Sequence, residues 1–120
     1  VVARNKTGEW KALTWPENGE YASSTYFITD DPEPRMRFTV GGEIYTAYAL
    51  FSDGLEDMAL DHKAMIAHVP FFTSMMRPLD NLNREGKDQG LSSALADFLD
   101  SGRVCERTDD DKSIILLSAV

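Results

Sequence analysis

The sequence has little of what metal cages and staples are made from: one cysteine, Cys105, and two histidines, His62 and His68, in 120 residues. A single thiol closes no internal disulfide, so the expected address is a reducing compartment, the cytoplasm. Zinc is poorly served by the same shortage, because its closed sites draw on cysteine and histidine. The two histidines stand six apart, which on a helix puts them about 120° off a common face. Positive charge is also scarce. Against 20 Asp and Glu there are 12 Lys and Arg, a net charge of −8, which disfavours a nucleic-acid backbone or an anionic membrane as partner, since both are held through clustered basic side chains. No apolar run approaches the roughly 18 residues that span a bilayer, and no charged segment followed by an apolar one opens the chain. Internal repeats and low-complexity tracts are absent as well.

What is present is apolar material for one core: 42% of residues are hydrophobic and 10% aromatic, enough for one domain or part of one. The chain opens on Val1, and Trp10, Ala12, Leu13 and Trp15 already read as core, which raises the expectation of a partial domain. Trp10–Trp15 and Ser24–Thr29 read as short strands joined by the turn cluster Pro16-Glu17-Asn18-Gly19. The prolines among acids in Asp30–Pro34 stop any ladder, Met36–Val40 can resume it, and Gly41-Gly42 turns again. Tyr45–Phe51 is β-branched and aromatic and ends abruptly at Ser52-Asp53-Gly54, which marks a buried strand entering a tight turn.

Helical periodicity follows. Ala59, Leu60, Ala64, Met65 and Ala67 predict a helix over Met58–His68, after which Pro70 ends that helix or Phe71 and Phe72 begin another. Ser74–Leu82 and Ser92–Leu99 also read as helices, the second with Ser101-Gly102 as its stop. Ser113–Val120 is a central strand by composition. Strands, then a block of helices, then one returning strand predict an α+β fold.

Two acids stand where such strands open into loops: Asp53 after Tyr45–Phe51, and Asp110, in Thr108-Asp109-Asp110-Asp111, before the final strand. If the two strands are antiparallel neighbours, their carboxylates meet at one sheet edge. Dispersed aspartates suit hard divalent cations such as magnesium and manganese, which take oxygen ligands and keep several waters. Gly54 would let the chain turn sharply and allow close backbone approach to a metal-bound water. Read alone, the same residues also describe an Asx turn and a solvated acidic cluster guarding a strand edge.

Together the strings Ala49-Leu50-Phe51-Ser52-Asp53-Gly54-Leu55 and Glu106-Arg107-Thr108-Asp109-Asp110-Asp111-Lys112-Ser113-Ile114-Ile115-Leu116 resemble the paired late motifs of the metal-dependent type 2C serine/threonine protein phosphatases. Glu20 to Asp30 and Pro70-Phe71-Phe72 resemble a bacterial branch of that family. The resemblance implies a four-layer αββα sandwich, two antiparallel sheets flanked by helices, with residues 1–120 forming the C-terminal half of one phosphatase domain. It implies two Mn2+ or Mg2+ ions in the complete domain, with Asp53 and Asp110 as ligands of one and Asp111 shaping the turn. A metal-bound water would be the nucleophile on phosphoserine or phosphothreonine of a phosphoprotein substrate. The family's early acidic motifs have no counterpart in this chain. Its expected partner is therefore the missing N-terminal half or a second copy, and the chain alone is expected to be inactive. A phosphatase-like binding module without chemistry is the alternative.

Other residues carry weaker expectations. Cys105 reads as a small buried or half-buried residue, and His62 and His68 as surface or capping residues. Met75 and Met76, with Phe71 and Phe72, read as core before partner groove, and Trp10 and Trp15 as sheet packing. Arg35 and Arg37 read as solvated.

Overall fold

The computed structural model describes residues 1–16, 29 and 38–119. The strand expected over Ser24–Thr29, apart from Thr29 itself, lies outside the described residues, as do Asn18-Gly19, Asp30–Pro34, Arg35 and Arg37. Of the strand expected over Met36–Val40, residues Phe38–Val40 are described and are not in a strand.

Val2 and Ala3 open the first strand, β1 (Val2–Asn5), and both are fully buried. The chain reverses through Gly8, whose φ of 87° suits a residue without Cβ. Asn5 fixes this turn: its side-chain oxygen accepts the Thr7 N–H (3.0 Å), the Thr7 hydroxyl (2.7 Å) and the Glu9 N–H (3.0 Å). The return strand β2 (Trp10–Ala12) pairs antiparallel with β1, as does β3 (Tyr45–Phe51) on the other side. The last strand, β6 (Ile114–Ser118), pairs antiparallel with β3, placing Leu116 opposite Ala49 and Ile114 opposite Phe51. The order is β2-β1-β3-β6, so among the described residues β6 is an edge strand, not the central one its composition predicts.

One face of this sheet carries Ala47, Ala49, Phe51, Ile114 and Leu116, and helix α2 (Val69–Asp80) lies on it. The two alanines admit the helix closely, and Phe72 and Met76 fill the space with no surface left exposed. The Phe72 ring stands 5.2 Å from Trp10, 5.7 Å from Phe51 and 5.2 Å from Phe71, measured between centroids. Met76 and Trp10 are thus core residues, as their spacing predicts. On the opposite face Ala3 is buried and Tyr48 half-buried, whereas Leu50 is 38% exposed, Ile115 58% and Leu117 50%. A composition that reads as buried on both faces is only partly covered on this one among the described residues.

The helix expected over Met58–His68 is not there. After a single turn, α1 (Glu56–Ala59), the chain forms a hairpin of β4 (Leu60–Asp61) and β5 (Ile66–Ala67). The Asp61 carboxylate accepts the N–H groups of Lys63 (3.0 Å) and Ala64 (2.9 Å), diverting the backbone from helical bonding. Met65 adopts a φ of 57°. Ala59 at the end of α1 and Leu60 and Ala67 of this hairpin reach the core.

Pro70 is the second residue of α2, in the first turn where its missing N–H costs nothing, and Pro78 falls near the helix end. Helix α3 (Gln89–Leu99) begins three residues earlier than its apolar stripe suggests, because the Asp88 carboxylate caps it by accepting the Leu91 N–H at 2.8 Å. Beyond it Ser101-Gly102 starts another turn, α4 (Gly102–Cys105). Leu55, Met58 and Val104 form a second buried cluster with Phe98, Leu99 and Ile114 packed against it. That cluster anchors the loops at one sheet edge. Helices segregated on an antiparallel sheet make this an α+β fold. Among the described residues no helix is long and apolar enough to cross a membrane.

Candidate metal and phosphate site

Because Phe51 faces Ile114 across the β3–β6 ladder, the end of one strand and the start of the other share an edge. The pairing continues one step further, the Ser52 N–H donating to the Ser113 carbonyl at 3.0 Å. The Ser52 hydroxyl donates to the Asp111 carbonyl (3.2 Å) and accepts the Ser113 N–H (3.0 Å). Asp53 then opens a 3-10 turn, Asp53–Leu55, and its carboxylate accepts the Gly54 N–H at 3.0 Å. Leu55, with no exposed surface, pins the turn into the second cluster.

Across from it, the chain leaves α4 with the Arg107 N–H on the Val104 carbonyl at 2.9 Å, and the Asp110 N–H reaches the Thr108 hydroxyl at 3.3 Å. Asp53 and Asp110 line the same cleft, of about 340 Å³. The structure therefore brings together the two residues singled out from the sequence. Asp111 turns its carbonyl to Ser52, in keeping with a turn-shaping part.

Gly54 is needed for space, not for an unusual φ: a Cβ there would come within 2.4 Å of the Asp111 carbonyl oxygen and 3.3 Å of the Asp110 Cβ. The close approach it permits is between the two loops. Glu56 and Asp57, one helical turn past Asp53, line the cleft too, with Thr108 and Arg107. Burial pushes the Glu56 carboxyl above the usual range; His62 pulls it back, and Asp53 and Asp57 push it further up. Arg107 is the one cation of that lining among the described residues. None of Glu56, Asp57 and Arg107 stands out in the sequence, although acids at i+3 and i+4 from Asp53 were readable once a helix start was assumed.

His62 stands apart, its Nε2 3.7 Å from the Asp57 carboxylate and its ring edge-on to half-buried Trp15 at 5.6 Å. His68 stands at the position preceding α2 but its side chain makes no capping hydrogen bond to the helix; its Nδ1 lies 3.0 Å from the Met58 carbonyl instead. Cys105 is exposed rather than buried or half-buried, with the Lys112 ammonium 3.7 Å from its sulfur.

Carboxylate oxygens in an open polar cleft, on two loops that Gly54 allows to touch, have the donor chemistry of one side of a hard divalent-cation site. Among the described residues no three His, Cys, Asp or Glu side chains are gathered to hold a metal ion.

Residues 1–100 match the family described as protein phosphatase 2C, a span that includes Asp53 and ends before Asp110. The chain is also similar to serine/threonine-protein phosphatase 3 of Escherichia coli (strain K12), 43% identical over 103 residues, which are 84% of this chain and 40% of that protein. The chain thus spans well under half the length of this curated relative. No solved structure matches it. A match over that much of the chain means that the chain belongs to the protein phosphatase 2C family.

Proposed function

We propose that the chain is the C-terminal part of a metal-dependent protein phosphatase that hydrolyses phosphoserine and phosphothreonine in protein substrates, in the cytoplasm. The observation that carries this is the convergence of Asp53 and Asp110 on one cleft across the β3–β6 edge. Two Mn2+ or Mg2+ ions, when bound in the complete domain, would activate a water and neutralise the phosphoryl oxygens. Asp53 and Asp110 would hold one of them. The second needs carboxylates that these loops do not supply, which is why the chain by itself is inactive in this reading. Arg107 offers a guanidinium suited to phosphoryl oxygens in the same cleft.

The partly covered sheet face supports a partner. Tyr48, Leu50, Ile115 and Leu117 form two adjacent cross-strand pairs, Tyr48 with Leu117 and Leu50 with Ile115, on the side away from α2. A second sheet, from the N-terminal part of the same protein, would complete the four-layer sandwich by covering them; a second copy of the chain is the other candidate cover.

Asp53→Ala and Asp110→Ala in the full-length protein should each abolish nearly all manganese-dependent hydrolysis of a chromogenic phosphomonoester, with the thermal unfolding midpoint little changed. Unchanged turnover at saturating manganese for either variant removes that residue from the site.

A further inference from the structure

We infer that Ser52 is a positioning residue for the proposed metal site, setting the separation of Asp53 and Asp110 by clasping the two loops that carry them. The inference rests on the functional reading above. Each acid is one residue from the clasp: Ser52 precedes Asp53, and Asp111, whose carbonyl Ser52 holds, follows Asp110.

The β3–β6 ladder ends at Phe51 and Ile114. Past it, the Ser52 N–H on the Ser113 carbonyl (3.0 Å) continues the pairing, and it leaves the Asp111 carbonyl and the Ser113 N–H to be satisfied elsewhere. The Ser52 hydroxyl serves both, donating to one at 3.2 Å and accepting from the other at 3.0 Å. Only an atom that donates and accepts at once can do this. A hydroxyl does so fully, a thiol weakly and a methyl not at all. Gly54 completes the clasp from the other side, since its missing Cβ leaves the room that the Asp111 carbonyl occupies. Two short acidic loops are thereby fixed to each other as well as to the sheet. Outer groups that orient metal-binding side chains typically change affinity by about 10–100-fold when removed.

The test uses the full-length protein with Ser52→Ala, Ser52→Cys and Ser52→Thr, and reads two quantities. Hydrogen exchange of the Ser113 amide, measured without metal, should speed up at least about tenfold in Ser52→Ala while the Ala49 amide is unchanged. Manganese affinity by calorimetry should fall about tenfold in Ser52→Ala and stay within about threefold in Ser52→Thr, with Ser52→Cys between. A role confined to stability would not order affinity by the hydroxyl. Equal manganese affinity in folded Ser52→Ala and the unmodified protein overturns the inference; should Ser52→Ala not fold, equal affinity in the Cys and Thr variants does the same. Asp53→Ala separates the two readings: if it loses manganese while Ser52→Ala does not, only the clasp is refuted. If Asp53→Ala keeps manganese, the metal-site reading falls and the inference with it.

Discussion

At the scale of single residues, the cleft contrasts acids that converge with nucleophile candidates that do not. Cys105 carries a thiol but sits exposed at the end of α4, and His62 stands at the rim of the cleft, 3.7 Å from the Asp57 carboxylate. With hydrolysis assigned to an activated water, neither side chain is needed to attack phosphorus. Cys105→Ser and His62→Gln should therefore leave turnover of the full-length protein within a few-fold; a hundredfold loss in folded Cys105→Ser would restore the thiol as nucleophile. That Asp53 and Asp110 share one sheet edge was legible because each stands at a strand end, while their part as ligands rests on the family resemblance and belongs to the proposal. Ser52 and Gly54 were not legible in the same way. Their importance lies in contacts with a backbone segment some 60 positions away, the Ser52 hydroxyl meeting the Asp111 carbonyl across 59 residues of chain.

At the scale of elements, α2 is the piece on which the sheet depends. Phe72 touches three aromatic rings and is fully buried, so Phe72→Ala should cost about 3–5 kcal/mol, read from denaturant unfolding. A cost under about 1 kcal/mol would mean that α2 does not pack on β3 as described. The end of α2 is tied to the sheet by a bidentate pair, Arg4 to Asp80 at 2.7 and 2.8 Å, joined by the Ser118 hydroxyl at 3.0 Å. Hydrogen bonding to Arg4 holds the Asp80 carboxyl below its ordinary value. A depressed folded value means that the stabilisation is present above the unfolded value, near 4, and is lost as pH falls through the folded one. Asp80→Asn should thus cost about 1 kcal/mol at pH 7, the pair being partly exposed, and progressively less below pH 4. A gap between the two proteins that widens on acidification would contradict this.

The elements themselves were unevenly legible. Tyr45–Phe51 matches its predicted strand residue for residue because β-branched and aromatic composition and the abrupt Ser52 stop agree. Met58–His68 failed because apolar spacing cannot register Asp61, whose carboxylate competes for the backbone N–H groups that a helix needs. Strand β1 went unread for want of length: four residues before Lys6 hold too little alternation to signal a strand, although Gly8 marks the turn that follows.

At the scale of the whole molecule, the chain spans 40% of its Escherichia coli relative and leaves Leu50, Ile115 and Leu117 exposed on one sheet face. These side chains have the composition of an interior. Their exposure agrees under the proposal with the finding that, among the described residues, no three metal-binding side chains are gathered, since one N-terminal segment would supply both the covering sheet and the remaining ligands. The most direct measurement is manganese-dependent hydrolysis of a chromogenic phosphomonoester by this chain alone, and after mixing with its separately expressed N-terminal part, with mass followed by light scattering. The account predicts no activity from the chain alone and activity that appears with formation of the complex; a monomeric chain that hydrolyses the ester unaided would contradict it.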